Sequence, residues 1–163
     1  MNVRFQVSDL ESIQLPMIVI GVTKESKDDK MINEIKNPLG EIIREVITLG
    51  DFTGKKGETS LIYSRGAITS ERVLLVGLGE QEKITTEDVR KTIGGVSRKI
   101  RDMGVGKVGV SLPSVVRGNL DQYEIIEAIT EAFVMGSHQT IHFQTKDLDK
   151  FKKIDEVTIF SSE

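Results

Sequence analysis

Residues 50–112 read GDFTGKKGETSLIYSRGAITSERVLLVGLGEQEKITTEDVRKTIGGVSRKIRDMGVGKVGVSL, and their reading decides the fold. Ser60 to Tyr63 and Val73 to Val76 are short apolar, β-prone runs separated by a polar turn around Arg65-Gly66, which predicts an antiparallel hairpin. Thr85 followed by Asp88 marks a helix start, and Val89, Ile93, Val96, Ile100 and Met103 recur at helical spacing as one buried stripe. Gly94-Gly95 inside that helix costs about 1 kcal/mol per glycine relative to alanine, and close approach of helix to sheet is the expected compensation. Val108, Val110 and Leu112 then form another strand.

The flanking sequence extends the pattern. Val3, Phe5 and Val7 alternate with Arg4 and Gln6, the period of a strand with one wet face, whereas Met17 to Val22 is continuously apolar, as expected of a central strand covered on both sides. Two helical stripes follow, Met31, Ile32 and Ile35, then Leu39, Ile42, Ile43, Val46 and Ile47. They break at Asn37-Pro38, because proline disfavours a helical residue before it, and Gly50 closes the second. Asn119 with Gln122 resembles a capping pair, and Ile125, Ile126, Ile129, Ala132, Phe133 and Gly136 carry a long helix. Val157 to Phe160 is a final strand. Apolar strands alternating with amphipathic helices predict an α/β fold, a three-layer α/β/α sandwich with a mixed sheet.

The 163 residues fit one domain, and 38% hydrophobic with 29% charged residues suffices for a single core. Cysteine is absent, which removes disulfides, thiolate nucleophiles and cysteine metal sites and gives secretion no support, leaving the cytoplasm as the expected location. The longest apolar run, Leu15 to Val22, is far below the roughly 20 residues a membrane helix needs, and the N-terminus lacks a signal peptide's apolar middle. Net charge is −3, with lysine pairs only at Lys55/Lys56 and Lys152/Lys153. A nucleic-acid footprint needs a clustered basic face, so nucleic acid is not an expected partner.

Each motif with a chemical reading also has a structural one. Val73 to Gly79 imitates the strand and first two glycines of a dinucleotide-binding turn, but Glu82 stands at the third glycine position and the helix starts too late. Gly104 to Gly109 satisfies GxGxxG but follows a helix and precedes a strand, the reverse of the order that aims a helix dipole at phosphate. Gly50 to Lys56 is one residue short of a P-loop and has Lys56 where a hydroxyl should hold magnesium. His138 and His142 have the spacing of a zinc-protease helix, with Gln139 in place of its glutamate. Ser60, Ser64, Ser70 and Ser111 lack a nucleophile elbow. The carboxylate pairs Glu87/Asp88 and Asp28/Asp29 read as helix starts or solvated turns.

The ordered set GDFTG (50–54), ERVLLVGLG (71–79), Lys83-x-Thr85-x-Glu87 and EAFVMGSHQ (131–139), closing on EVTIF (156–160), resembles the N-terminal domain of the leucyl (cytosol) aminopeptidases over nearly the whole chain. The helix end departs from that family's E-G-A-L-L-G-S-Y at Phe133, Met135 and His138. The resemblance implies a macro-domain-like sandwich spanning 1–163 as a single non-catalytic domain. In the family, a separate C-terminal domain holds two divalent metals, zinc or manganese, which activate a water against the first peptide bond of a peptide. That domain's motifs, NTDAEGR and GKG-x-TFD-x-GG, occur nowhere here, so the resemblance assigns no catalytic, cofactor-binding or metal-binding residue.

The expected partners are the chain's own C-terminal catalytic domain and further copies of itself, since the family forms hexamers in which these domains support subunit contacts and access to the active sites. The end at Glu163, three residues past a strand, reads as the junction with the catalytic domain. Two other functions are compatible with the family's fold: a nucleotide or ADP-ribose binding module, and a DNA-binding accessory domain.

Overall fold

The computed structural model describes residues 1–25, 28–138 and 152–163. The described chain forms six strands and five α-helices: β1 (Asn2–Val7), β2 (Met17–Thr23), α1 (Lys30–Glu34), α2 (Pro38–Thr48), β3 (Thr59–Tyr63), β4 (Arg72–Gly79), α3 (Thr86–Asp102), β5 (Lys107–Ser111), α4 (Leu112–Val115), α5 (Gln122–Gly136) and β6 (Glu156–Ser161). The strands make one mixed sheet in the order β1-β6-β5-β2-β4-β3. Only the β3–β4 hairpin is antiparallel, Thr59 pairing with Val76 and Tyr63 with Arg72.

All seven residues of β2 are buried, as its unbroken apolar run requires of a strand with a neighbour on each edge and helices on each face. Its alternate side chains feed two cores. Met17 and Val19 join the cluster under α3 and α5, while Ile18, Ile20 and Val22 join the cluster under α1 and α2. The three-layer arrangement follows, with the sheet in the middle. Among the described residues, no helix is long and apolar enough to cross a membrane.

Local signals place most helix ends. Asn37 caps α2 by accepting from the Leu39 amide, with Pro38 in the first turn, and Gly50 follows the helix at φ +82°. Thr85 and Asp88 form a reciprocal capping box on α3.

Several expectations are corrected. Leu112 does not continue β5 but opens α4, a one-turn helix. The cap of α5 is Asp121 rather than Asn119, because its Oδ1 accepts from both the Tyr123 and Glu124 amides. In β1 only Val3 is partly covered, since β6 is the one element in substantial contact with that strand. The close approach at α3 is to α5 rather than to the sheet, at Gly94 and not Gly95, and the glycine it requires is Gly136. A Cβ on Gly136 of α5 would lie 2.7 Å from the Gly94 carbonyl oxygen, whereas a Cβ on Gly94 itself meets open space.

Candidate functional site

Open α/β sheets bind ligands outside the carboxyl ends of their strands, where successive connections leave to opposite faces. Here that place is the end of β2. The chain leaves β2 for α1 and α2 on one face and leaves the adjacent β4 and β5 for α3, α4 and α5 on the other.

The crevice between β2 and β5 is filled by the protein itself. Arg117, just after α4, donates from Nη1 to Asp29 Oδ1 at 2.9 Å and from Nη2 to Asp29 Oδ2 at 3.0 Å. Its Nε donates to the Ser114 carbonyl and Nη2 also to the Gly21 carbonyl, at 2.9 and 3.1 Å. Asp29 in turn accepts from the amide and hydroxyl of Thr23, both at 3.3 Å, and from the Met31 amide at 3.0 Å, which caps α1. Both side chains are buried.

A two-pronged guanidinium–carboxylate contact, with further hydrogen bonds made by both partners, is the arrangement that makes a buried ion pair tolerable. Ser114 completes the plug: its hydroxyl donates to the Ser111 carbonyl and accepts from the Gly21 amide. A Cβ on Gly21 would lie 2.6 Å from the Ser114 carbonyl oxygen. None of the buried side-chain polar atoms among the described residues lacks a partner. The reading of Asp28/Asp29 as a helix start or solvated turn holds for the exposed Asp28 and, through the cap of α1, for Asp29, whose burial against Arg117 it did not include. An arginine directly after the apolar Val115-Val116 was the one available clue, and nothing local names its partner.

Between the ends of β2 and β4 a cavity of about 280 Å³ is lined by Lys24, Lys55, Lys56, Lys83, Glu80 and Asp88, among others. Lysines outnumber the two carboxylates, and three of them are paired. Lys24 and Lys83 lie 3.8 and 2.7 Å from Glu80, and Lys56 lies 2.8 Å from Asp88. The hydrogen bond from Lys83 holds the Glu80 carboxyl below its ordinary value. Asp88 is held low chiefly by the hydrogen bond from Lys56, then by Thr85.

The floor of this region explains two sequence motifs as architecture. In the GDFTG turn Gly54 accepts from the Gly79 amide, and a Cβ on Gly77 would lie 1.9 Å from the Lys55 carbonyl oxygen. The 50–56 loop thus packs backbone to backbone on β4, and the VLLVGLG glycines admit that loop rather than a phosphate. Glu58 clasps the loop from below. Burial raises its carboxyl, but hydrogen bonds from the Thr53 hydroxyl and the Thr53 and Lys55 amides outweigh this and hold it below its ordinary value.

The remaining candidates are dispersed. Gly104, at φ +77°, closes α3, and β5 starts three residues later. Ser70 donates to the Ile13 carbonyl, while Ser111 lies at the opposite side of β2. His138 follows the end of α5, and His142 and Gln139 lie outside the described residues. Among the described residues no group of three or more His, Cys, Asp or Glu is placed to hold a metal, so the family's two metals have no fitting ligand set in them.

The family model described as "Cytosol aminopeptidase family, N-terminal domain" matches residues 19–147. A probable cytosol aminopeptidase of Roseiflexus castenholzii is 27% identical over 163 residues, covering 99% of this chain and 30% of that protein. One of Protochlamydia amoebophila is 31% identical over 123 residues, covering 76% and 23%. The chain thus spans about 30% or less of the length of these curated relatives.

Among solved structures, a tomato leucine aminopeptidase mutant superposes with a TM-score of 0.73 at 18% identity, over 100% of this chain and 33% of that one. The bottromycin maturation enzyme BotP in complex with Mn gives 0.63 at 14%, over 90% and 27%. The macrodomain of Thermus aquaticus DarG gives 0.65 at 13%, over 98% of both chains. At these identities the superpositions establish the fold alone, a macrodomain-like α/β sandwich. By the family model, the chain belongs to the cytosol aminopeptidase family and carries that family's N-terminal domain.

Proposed function

We propose that this chain is the non-catalytic N-terminal domain of a metal-dependent leucyl aminopeptidase, an enzyme that removes N-terminal amino acids from peptides, and that it serves subunit assembly and access to the active site. The observation that carries the reading is the family match combined with coverage: the chain aligns along nearly its whole length with about 30% of an aminopeptidase such as the Roseiflexus one. The rest of such a protein, a C-terminal peptidase domain, would hold two divalent metals, zinc or manganese, and supply the Lewis-acid chemistry. The parent would work in the cytoplasm as a homo-oligomer, a hexamer in this reading, on peptide substrates.

Within that enzyme the chain's own residues would support and position. The plug of Asp29, Arg117 and Ser114 fixes α4 and α1 to the sheet, and charged surfaces on α3 and α5 remain outside. The test uses two proteins. The purified chain, supplied with zinc or manganese, is expected to release no leucine from a leucyl amide, and metal-dependent release would overturn the reading. The full-length enzyme with residues 1–163 deleted is expected to lose oligomeric order; an unchanged oligomer would remove the assembly role.

A further inference from the structure

Among the described residues, the N-terminal strand is an exposed edge of the sheet. Edge strands in soluble proteins are ordinarily blunted by lysine, proline, a bulge or a covering element. β1, with the sequence NVRFQV, has one charge and no proline, and among the described residues no strand lies beyond it. Phe5 is 46% and Val7 68% exposed.

The backbone of β1 is half used. Asn2 donates to the Asp155 carbonyl at 2.8 Å and Ser8 to the Ser161 carbonyl at 2.9 Å. In the parallel register of β1 with β6, the even-numbered residues therefore bond to β6 and Val3, Phe5 and Val7 turn their amides and carbonyls outward. The side chains of these three also share a face. Val3 packs on the cluster beneath α3 and α5, and its register partner Val157 and Phe5's partner Ile159 belong to that cluster.

We propose that the open edge of β1 pairs with β1 of a second copy of this chain, antiparallel about a two-fold axis through Phe5. The strand is self-complementary in that register. Phe5 faces Phe5 of the second copy, Val3 faces Val7, and Arg4 faces Gln6, so both aromatic and β-branched residues meet their like on one face. Slipping the pairing by two residues in one direction sets Arg4 against Arg4, a like-charge pair, and in the other sets Phe5 against Val7 and leaves Val3 beyond the paired strands. Arg4 is already held by Glu156 at 3.0 Å, so the favoured register brings no unpaired charge to the seam. A pair of this kind is isologous and closes at two copies. It goes beyond the proposed assembly role and stands on β1 alone, with or without a peptidase domain.

The test is sedimentation of the purified 163-residue chain across micromolar to millimolar concentration. A monomer–dimer shift is expected. Phe5→Pro removes an outward amide and none given to β6, and Val7→Lys adds a charge at the seam; both are expected to leave monomer, with circular dichroism confirming the fold. The chain has no cysteine, so Phe5→Cys offers an independent readout. Directly opposed residues of a hydrogen-bonded pair have Cα atoms about 5.5 Å apart, within disulfide reach. Oxidation with diamide should cross-link Phe5→Cys and not Arg4→Cys. A concentration-independent monomer, a dimer that Phe5→Pro and Val7→Lys leave intact, or equal cross-linking of the two cysteine variants would overturn the proposal.

Discussion

Arg117 and Asp29 lie 88 positions apart and meet through two contacts of 2.9 and 3.0 Å in the interior, beside the end of the central strand. Removing one partner of such a pair leaves an uncompensated buried charge, which typically costs about 3 to 5 kcal/mol. Arg117→Met is therefore expected to lower the thermal midpoint by about 10 °C for a domain of this size. The double variant Asp29→Asn, Arg117→Met should recover much of the loss, because asparagine can still cap α1 while the stranded charge is gone. Urea denaturation of the two single variants and the double closes the cycle. Additive losses would show that the pair is not coupled.

The contact between α3 and α5 turns on one glycine. A methyl on Gly136 would sit 2.1 Å from the Ser97 hydroxyl and 2.7 Å from the Gly94 carbonyl oxygen, and backbone cannot step aside. Gly136→Ala should thus force the helices apart at a cost of about 1 to 3 kcal/mol. Gly94→Ala and Gly95→Ala enter open or ordinary space and should be neutral or stabilising by up to about 1 kcal/mol from helix propensity. Thermal melts of the three variants decide it. A Gly94→Ala loss as large as that of Gly136→Ala would contradict the geometry.

These two features mark where the sequence stops being legible. Signals confined to a few neighbours were readable: the unbroken apolar run of Met17 to Val22, the break at Asn37-Pro38, the pair Thr85 and Asp88. The cap of α5 was misplaced because Asn119 and Asp121 offer similar side-chain oxygens within one turn, and only the fold decides which reaches two amides. Gly94-Gly95 suggested a close approach to the sheet, whereas the glycine that a close approach requires is Gly136, at the contact of α5 with α3. Asp29 was legible as a helix start but not as one half of a buried ion pair, since Arg117 arrives through tertiary structure alone. For the site, the sequence supported only the absence of familiar catalytic motifs, and the plug at the end of β2 is built from residues with no local pattern in common.

The start of α3 should carry part of the acid sensitivity. Lys56 and then Thr85 hold the Asp88 carboxyl below its ordinary value in the folded chain. A carboxyl depressed on folding contributes stability above the unfolded-state range, and the contribution is lost as pH falls through the folded value. Asp88→Asn should accordingly cost about 1 kcal/mol at neutral pH through the broken capping box, and its deficit against the natural chain should shrink below about pH 4. Urea midpoints from neutral to acidic pH measure this. A deficit that stays constant throughout would assign the role to geometry rather than charge.

The likeness to macrodomains makes nucleotide binding the natural rival reading, and the chain's own side chains argue against it. A nucleotide in the usual place would need the crevice beyond β2, which α4, Ser114 and Arg117 occupy. Asp29, the one buried carboxylate among the described residues, has its oxygens taken by Arg117, Thr23 and the Met31 amide. The adjoining cavity carries Glu80, and Lys24, Lys56 and Lys83 already face Glu80 and Asp88. Calorimetric titration of the chain with ADP-ribose is expected to show no binding in the micromolar range. Because displacing Arg117 would expose Asp29 unpaired, tight binding would require the plug to swing out as a unit. Micromolar affinity that rises on Arg117→Met would establish that the plug is a gate, and would reverse the ranking of the two functions.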